Sequence, residues 1–345
     1  MVSLKKSGII LEPTENKFEN HGVLNPAVIR VGNEIHLFYR ATNKANYSTI
    51  GHCILSSPTE LAYRSEEPII VPVEPYESHG VEDPRIVCIN GTFYITYTAY
   101  DGQNALGALI TSKDLKTFHR EGIVTPQLTY HEFKLCIESC NDLNEKYLRF
   151  VKLLTKRTDP ETVVKQFLWD KDVVLFPRKI NGKFALLHRI YPDIQIVYFN
   201  DFQDLTYPFW KEYLMKINDF IILSGESDFE ASYIGGGCPP IETPEGWLLI
   251  YHGVEDSNEG YIYHTGASLM DLEDPTKEIG RLQQPLFSPE LEWEKTGVVN
   301  NVVFPTGAII ENELLYIYYG AADKRIGVVS VNLDELIQEI KKSTV

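Results

Sequence analysis

The chain has 345 residues, 43% of them apolar and 23% charged, and carries a formal net charge of −16. That length and balance imply a folded protein with a large core, built as one repeat-based domain or two ordinary ones, and the negative charge argues against a nucleic-acid backbone as partner. No uninterrupted apolar run approaches a membrane span and no basic-then-apolar leader opens the chain, while the five cysteines (Cys53, Cys88, Cys136, Cys140, Cys238) lack a zinc-like double pair, so the expectation is a cytoplasmic protein without membrane or metal.

In chain order, the first recurring pattern is an apolar strand over Ala27–Val31, a turn at Gly32-Asn33-Glu34, a second strand over Ile35–Arg40 and a third over Thr49–Leu55. Four more copies turn at Asn90-Gly91, Asn181-Gly182, Pro244-Glu245-Gly246 and Glu311-Asn312-Glu313. Their second strands are Thr92–Tyr97, Lys183–His188, Trp247–His252 and Leu314–Tyr319. Asn-Gly between alternating apolar runs is a strong hairpin signal. The turn markers Asn33, Asn90, Asn181, Gly246 and Asn312 are spaced by 57, 91, 65 and 66 residues. Four-stranded units at such intervals predict an all-β, five-bladed β-propeller forming one domain over residues 1–345. A barrel of eight or more strands is the alternative, but it does not explain why each unit brings polar residues to the same place after its second strand.

The 91-residue interval carries a helical insertion at about 129–170, between blades two and three. Ile137–Thr155 lacks glycine and proline and spaces Leu143, Phe150, Val151 and Leu154 as one helix face does. This predicts an amphipathic helix ending at Thr158-Asp159-Pro160, with a second short helical stretch after it. The insertion reads as a lid, a subsite wall or a contact in a homo-oligomer, and the sequence does not separate the three.

The chemistry concentrates in Gly80-Val81-Glu82-Asp83-Pro84-Arg85, directly before the strand-like run Ile86–Tyr100. A short acidic-basic cluster at the mouth of a strand can hold an acid in a polar cleft, which makes Asp83 the first candidate for a catalytic acid. The competing reading is a structural Asp83–Arg85 ion pair that closes a loop. Matching stages of the other units hold Asn25 and Arg40; Lys171, Asp172, His188 and Arg189; Glu230, Tyr251 and His252; and Asp323. Carboxylates and basic groups converging on one channel are what glycosidic chemistry with an anionic nucleophile needs. Gly235-Gly236-Gly237 lacks the Lys-Ser/Thr ending of a phosphate-cradling loop and runs into Pro239-Pro240, so it reads as a bend that lets backbone approach the channel.

Leu24-Asn25-Pro26-Ala27, Phe38-Tyr39-Arg40-Ala41, the Gly80–Arg85 segment, Lys171-Asp172 ahead of Leu175-Phe176-Pro177, Leu187-His188-Arg189, Ile234-Gly235-Gly236-Gly237, Tyr251-His252-Gly253-Val254 and Tyr319-Gly320-Ala321-Ala322-Asp323 together resemble glycoside hydrolase family 130. That family holds β-mannoside phosphorylases and some β-1,2-mannosidases. The resemblance implies a five-bladed β-propeller. It implies Asp83 as the general acid, acting through the mannose 3-hydroxyl. It further implies Asn25, Arg40 and Asp323 as mannose-holding residues, and Lys171, Arg189 and His252 as phosphate-binding residues. Many relatives have Phe-Pro-Glu-Lys where this chain has Phe176-Pro177-Arg178-Lys179, and Cys238 stands where proline is common.

Phosphorolysis needs an acid on the leaving-group side and an anion pocket on the other face of the sugar, and phosphate itself is the nucleophile. The expectation is therefore an inverting β-mannoside phosphorylase with inorganic phosphate as co-substrate and no cofactor. In a β-1,2-mannosidase a carboxylate must activate water instead, and Glu230 is the residue placed for that role. In a non-catalytic carbohydrate-binding propeller, Tyr39, Tyr97, Tyr251 and Trp247 would stack on sugars, although core packing is the competing use of those rings.

Overall fold

Each of the five turn signals closes an antiparallel hairpin. Asn90 and Gly91 show why: their φ values are +51° and +73°, the left-handed pair that a two-residue turn requires and that asparagine and glycine adopt with least strain. The computed structural model describes residues 2–140, 145–157, 165–258 and 260–343, and it is mostly β.

Strand β1 (Leu4–Leu11) precedes the first unit, which comprises β2 (Gly22–Val31), β3 (Glu34–Thr42), β4 (Ser48–Ser57) and β5 (Glu60–Arg64). Unit two is β6 (Gly80–Ile89), β7 (Thr92–Tyr100), β8 (Ala105–Ser112) and β9 (His119–Ile123). Unit three is β10 (Lys171–Leu175), β11 (Phe184–Arg189), β12 (Ile194–Phe199) and β13 (Ile221–Leu223). In unit four the first strand is split into β14 (Tyr233–Gly236) and β15 (Ile241–Thr243), followed by β16 (Gly246–Ser257), β17 (Gly260–Met270) and β18 (Glu278–Arg281). Unit five is β19 (Val303–Glu311), β20 (Leu314–Ala321) and β21 (Arg325–Asn332), and β1 adds to its outer edge by pairing with β21. Within every unit successive strands pair antiparallel, and units one and two are joined by one parallel bridge, Ser48 to Gly80.

The insertion lies between β9 and β10 as expected, but two helices stand where the first predicted helix, over Ile137–Thr155, would run. Helix α1 (Tyr130–Glu138) starts earlier because Thr129 and Glu132 form a reciprocal capping box, and it ends where Ser139 Oγ turns back onto the Cys136 carbonyl at 2.7 Å. Helix α2 (Glu145–Arg157) follows. Leu143, the predicted end at Thr158-Asp159-Pro160 and the stretch beyond it lie outside the described residues. Three helices were not anticipated: α3 (Tyr207–Leu214), α4 (Glu292–Lys295) and α5 (Leu333–Lys341). None of the described helices is long and apolar enough to cross a membrane.

Alternation along the strands sends apolar side chains into the layers between units. Five buried clusters result. They join unit one to two (Phe38, Ile95, Ile110), two to three (Leu109, Val173, Leu186), three to four (Val174, Ile196, Trp247), four to five (Leu248, Leu269, Ile317) and five to one (Leu37, Leu55, Val328). Each unit therefore packs on two neighbours, and the last packs on the first.

A second repeat is polar. Tyr39, Tyr97, Tyr251 and Tyr319 occupy the same position of each second strand, and each hydroxyl donates to a buried glutamate that precedes its unit: Glu19, Glu77, Glu230 and Glu294. A cation from the outer strand completes each set, namely Arg64 (2.8 Å), Arg120 (2.9 Å), Arg281 (3.6 Å) and Lys6 (2.8 Å). Unit three replaces the tyrosine with His188, whose Nδ1 is 2.7 Å from Asp170 and whose Nε2 is 2.8 Å from the Tyr213 hydroxyl. These sets satisfy buried charges at the same point in every unit, and breaking one leaves an uncompensated buried group.

Candidate active site

The first strands of units one to three each carry an irregular register where a side chain is redirected. The pairing slips between Leu24 and Ala27, between Glu82 and Arg85, and between Lys171 and Val174. Inside the slips, Asn25, Asp83 and Asp172 hold φ values of +50°, +50° and +54°. Asparagine and aspartate tolerate this left-handed conformation better than other residues with side chains, and a bulge re-aims the side chain it carries. All three point into one cavity of about 460 Å³. On the second strands, the residue after each buried tyrosine or histidine faces the opposite way, so Arg40, Arg189 and His252 enter the same cavity. Lys171 and Asp323 also line it, the latter from the turn after β20 at φ +50°.

Seven of the eight residues expected at the site thus meet in one place, with every unit contributing. Glu230 does not. It is a member of the repeated tyrosine-glutamate-cation sets: one oxygen accepts from Tyr251, and the other accepts from the backbone of Glu226 and Ser227 at 2.9 and 3.0 Å. Its assignment as a substrate-contacting residue or water-activating base is corrected here, because the carboxylate is buried with both oxygens engaged. His188 and Tyr251 are likewise core residues. Tyr39, Tyr97, Tyr251 and Trp247 are all at most 2% exposed, which rules them out as a sugar-stacking surface.

The acidic end of the cavity is a tight network. Asn25 Nδ2 donates to Asp83 Oδ1 at 2.8 Å, and Arg40 spans Asp83 at 3.4 Å and Glu82 at 2.7 Å. Ser48 Oγ donates to Glu82 and accepts from Arg40 Nε, fixing that guanidinium. Arg85 is not the partner of the Asp83 carboxylate. It is fully buried and donates to the carbonyls of Asp83 and Gly237, at 2.8 and 2.5 Å, tying unit two to unit four. Burial works to raise the Asp83 pKa, but Arg40, Arg85, the Asn25 hydrogen bond and Lys171 outweigh it and hold the carboxyl below its usual range. Asp323 behaves oppositely: burial pushes it up to about 6, with Arg40 opposing and the charges of Asp83 and Glu82 reinforcing the rise.

The basic end rests on aromatic faces. The Lys171 ammonium lies 5.1 Å from the Trp169 ring centroid, the Arg189 guanidinium 5.1 Å from that of Tyr233, and the His252 ring 4.4 Å from that of Phe304. Asp172 Oδ2 sits 2.8 Å from Arg189 Nε and 3.8 Å from His252 Nε2, steering both. Burial pulls His252 down to about 3, against the pull of Asp172 and helped by Arg189 and Arg85, so the basic end combines two cations with a neutral imidazole. His252 Nδ1 is buried and has no hydrogen-bond partner among the described residues. Gly235 makes this crowding feasible: a Cβ there would lie 2.3 Å from the His252 ring and 2.5 Å from Asp172 Oδ2. The triple-glycine run is therefore a close backbone approach, as the sequence suggested, and not a phosphate-cradling loop.

Sequence reasoning missed the aromatic wall. Tyr130, Phe150 and Trp169 come from the insertion, Tyr191 follows Arg189, and Tyr233 and Tyr263 share a hydroxyl-hydroxyl bond of 2.5 Å. Their periodicity matches that of core aromatics. The one usable signal is adjacency, since Trp169 and Tyr191 each stand two residues from a basic site residue.

The sequence matches the family described as beta-1,4-mannooligosaccharide phosphorylase, glycoside hydrolase family 130, over residues 7–159 and 145–342. It is 33% identical to a 1,2-beta-oligomannan phosphorylase of Thermoanaerobacter sp. (strain X514) over 349 aligned residues, covering 97% of this chain and 99% of that one. It is 36% identical to a beta-1,2-mannobiose phosphorylase of the same organism, covering 95% and 96%. The structure of the beta-1,2-mannobiose phosphorylase of Listeria innocua, in complex with beta-1,2-mannobiose, superposes with a TM-score of 0.73 at 23% identity, covering 99% of both chains. On a family match over nearly its whole length and relatives of this identity, the chain belongs to glycoside hydrolase family 130.

Proposed function

We propose that the cavity cleaves a β-1,2-linked mannoside with inorganic phosphate, with inversion, to give α-mannose 1-phosphate and a shortened acceptor. The chain is a glycoside phosphorylase acting on β-mannosides, as its relatives at 33% and 36% identity are. Their names, both for β-1,2-linked mannosides, support the linkage. The observation that carries the mechanism is the placement of Asp83 and Arg40 in one cavity with Lys171, Arg189 and His252, while Glu230 is withdrawn from it. Asn25, Arg40 and Asp323 hold the mannose. A phosphate oxygen attacks the anomeric carbon as the bond to the acceptor oxygen breaks, and a proton passes from Asp83, through the mannose 3-hydroxyl, to that leaving oxygen. Lys171 and Arg189 hold the phosphate by charge-assisted hydrogen bonds, and His252 adds a neutral one. A bound phosphate anion offsets the cations that depress Asp83 and raises its pKa, so the acid takes up its proton when the nucleophile arrives.

We infer as well that the five units form a five-bladed β-propeller around this cavity. Supporting this are the five interlayer clusters in cyclic order and the completion of the last unit by β1. The test of function is the product: with β-1,2-mannobiose and phosphate, α-mannose 1-phosphate and mannose should appear in equal amounts, with the anomer read by NMR. Mannose alone, without loss of phosphate, would overturn the proposal.

A further inference from the structure

The insertion between units two and three has no counterpart in the other interunit connections, and it turns aromatic side chains toward the cavity mouth. Phe150 of α2 stacks on Tyr191 with centroids 4.7 Å apart and planes at 28°, and Tyr130 lies edge-on to Phe150 at 6.3 Å. Trp169, at the end of the insertion, lines the same cavity and is 41% exposed. The other three tryptophans serve packing: Trp210 and Trp247 are fully buried, and Trp293 stacks on Tyr319.

The exposed indole is held rigidly. Its Nε1–H donates to the Gln103 carbonyl at 3.0 Å, its backbone N–H donates to the Tyr130 hydroxyl at 3.2 Å, and the Lys171 ammonium sits against its ring. The next residue is fixed too, with the Asp170 carboxylate bonded to His188 and to the Arg189 backbone. A large apolar ring left open at the mouth of a polar cavity forgoes its burial free energy, and fixing its orientation reduces the ordering cost of a ligand that lies on it. A pyranose ring has such a use for it, since its C–H face packs on an aromatic face while its rim hydroxyls stay in water. The partner is uncharged, in keeping with a chain of −16.

We propose that Trp169 is the stacking platform of an outer acceptor subsite, taking the second pyranose ring beyond the cleaved bond, so that the cavity prefers oligosaccharides to disaccharides. This rests on the β-mannoside phosphorylase reading. The experiment compares the unmodified enzyme with Trp169→Ala and Trp169→Phe, using β-1,2-mannobiose, -triose and -tetraose at saturating phosphate, then varying phosphate. Trp169→Ala should raise the half-saturating concentration of the triose and tetraose by roughly threefold to tenfold, and Trp169→Phe should restore most of it. The rise should grow with chain length, larger for the triose and tetraose than for mannobiose, and any change in half-saturating phosphate from unseating Lys171 should be the same whichever sugar is the co-substrate. A rise confined to phosphate would overturn the proposal and leave the indole as a seat for Lys171; an equal rise for all three sugars, or none, would also overturn it. A binding readout separates this idea from the underlying reading. If the unmodified protein consumes no phosphate with any of these sugars, the phosphorylase reading fails. Quenching of indole fluorescence by the triose, present in the unmodified protein and absent from Trp169→Phe, would still support the platform, and identical quenching in both would overturn it.

Discussion

Glu230, fully buried, and Asp83, half-buried, are both carboxylates near the first strand of a unit, and each faces an arginine. Glu230 sits in a regular repeat: a glutamate about twenty residues ahead of a tyrosine on the second strand, seen also at Glu19, Glu77 and Glu294, with separations of 20, 20, 21 and 25 in chain order. Asp83 sits where regularity fails, on a bulge at φ +50° that turns its carboxylate into the cavity. In a chain built of copies, what every copy shares holds the copies together. What stands on the bulges of the first three units, where the ladder is interrupted at Asn25, Asp83 and Asp172, is available for chemistry.

The sharpest way to break this comparison is Asp83→Asn. Asparagine also accepts the left-handed backbone, so the fold should persist while the proton donor is lost, and turnover should fall by about a hundredfold or more. Wild-type turnover in the purified variant would end the assignment. Glu230→Gln should show the opposite profile: a loss of roughly 1–3 kcal/mol of stability in denaturant unfolding, with turnover per folded molecule within a fewfold of the parent. A large loss of turnover at unchanged stability would return Glu230 to the chemistry.

Asp323 sharpens the contrast further. Its pKa is raised from 3.8 to about 6 by burial, so the folded state is penalised for carrying this charge. By linkage the penalty is absent below the unfolded value, grows as pH rises through the interval, and is complete above the folded value. Asp323→Asn should therefore stabilise the ligand-free protein at pH 7.5 by about 1–3 kcal/mol and by little near pH 4, while weakening the mannoside. Equal stabilisation at both pH values would show that the carboxylate is not under this strain.

Much of this was legible in sequence because it is local. Asn90-Gly91 and Asn181-Gly182 announce their hairpins through backbone preference alone, and five repeats of one pattern place polar residues at matching stages. Arg40, Arg189 and His252 could be found this way, since each follows the inward-packed residue of its second strand. Glu230 was misread because its partners, Tyr251 and Arg281, meet it only in three dimensions; aligning the four glutamate-tyrosine pairs would have revealed it as structural. The helix start at Thr129 was written in its capping box with Glu132, but hydrophobic spacing pointed further along. The aromatic wall was hidden because Tyr233 or Phe150 in a cavity and Tyr39 in a core share the same residue chemistry.

The central claim is that the basic end of the cavity holds a phosphate nucleophile, and initial rate against phosphate at saturating β-1,2-mannobiose tests it most directly. The rate should rise from near zero and saturate, and Arg189→Ala should raise the half-saturating phosphate by about tenfold to a hundredfold, with a far smaller change for the mannoside. A rate independent of phosphate in the unmodified protein would contradict the account.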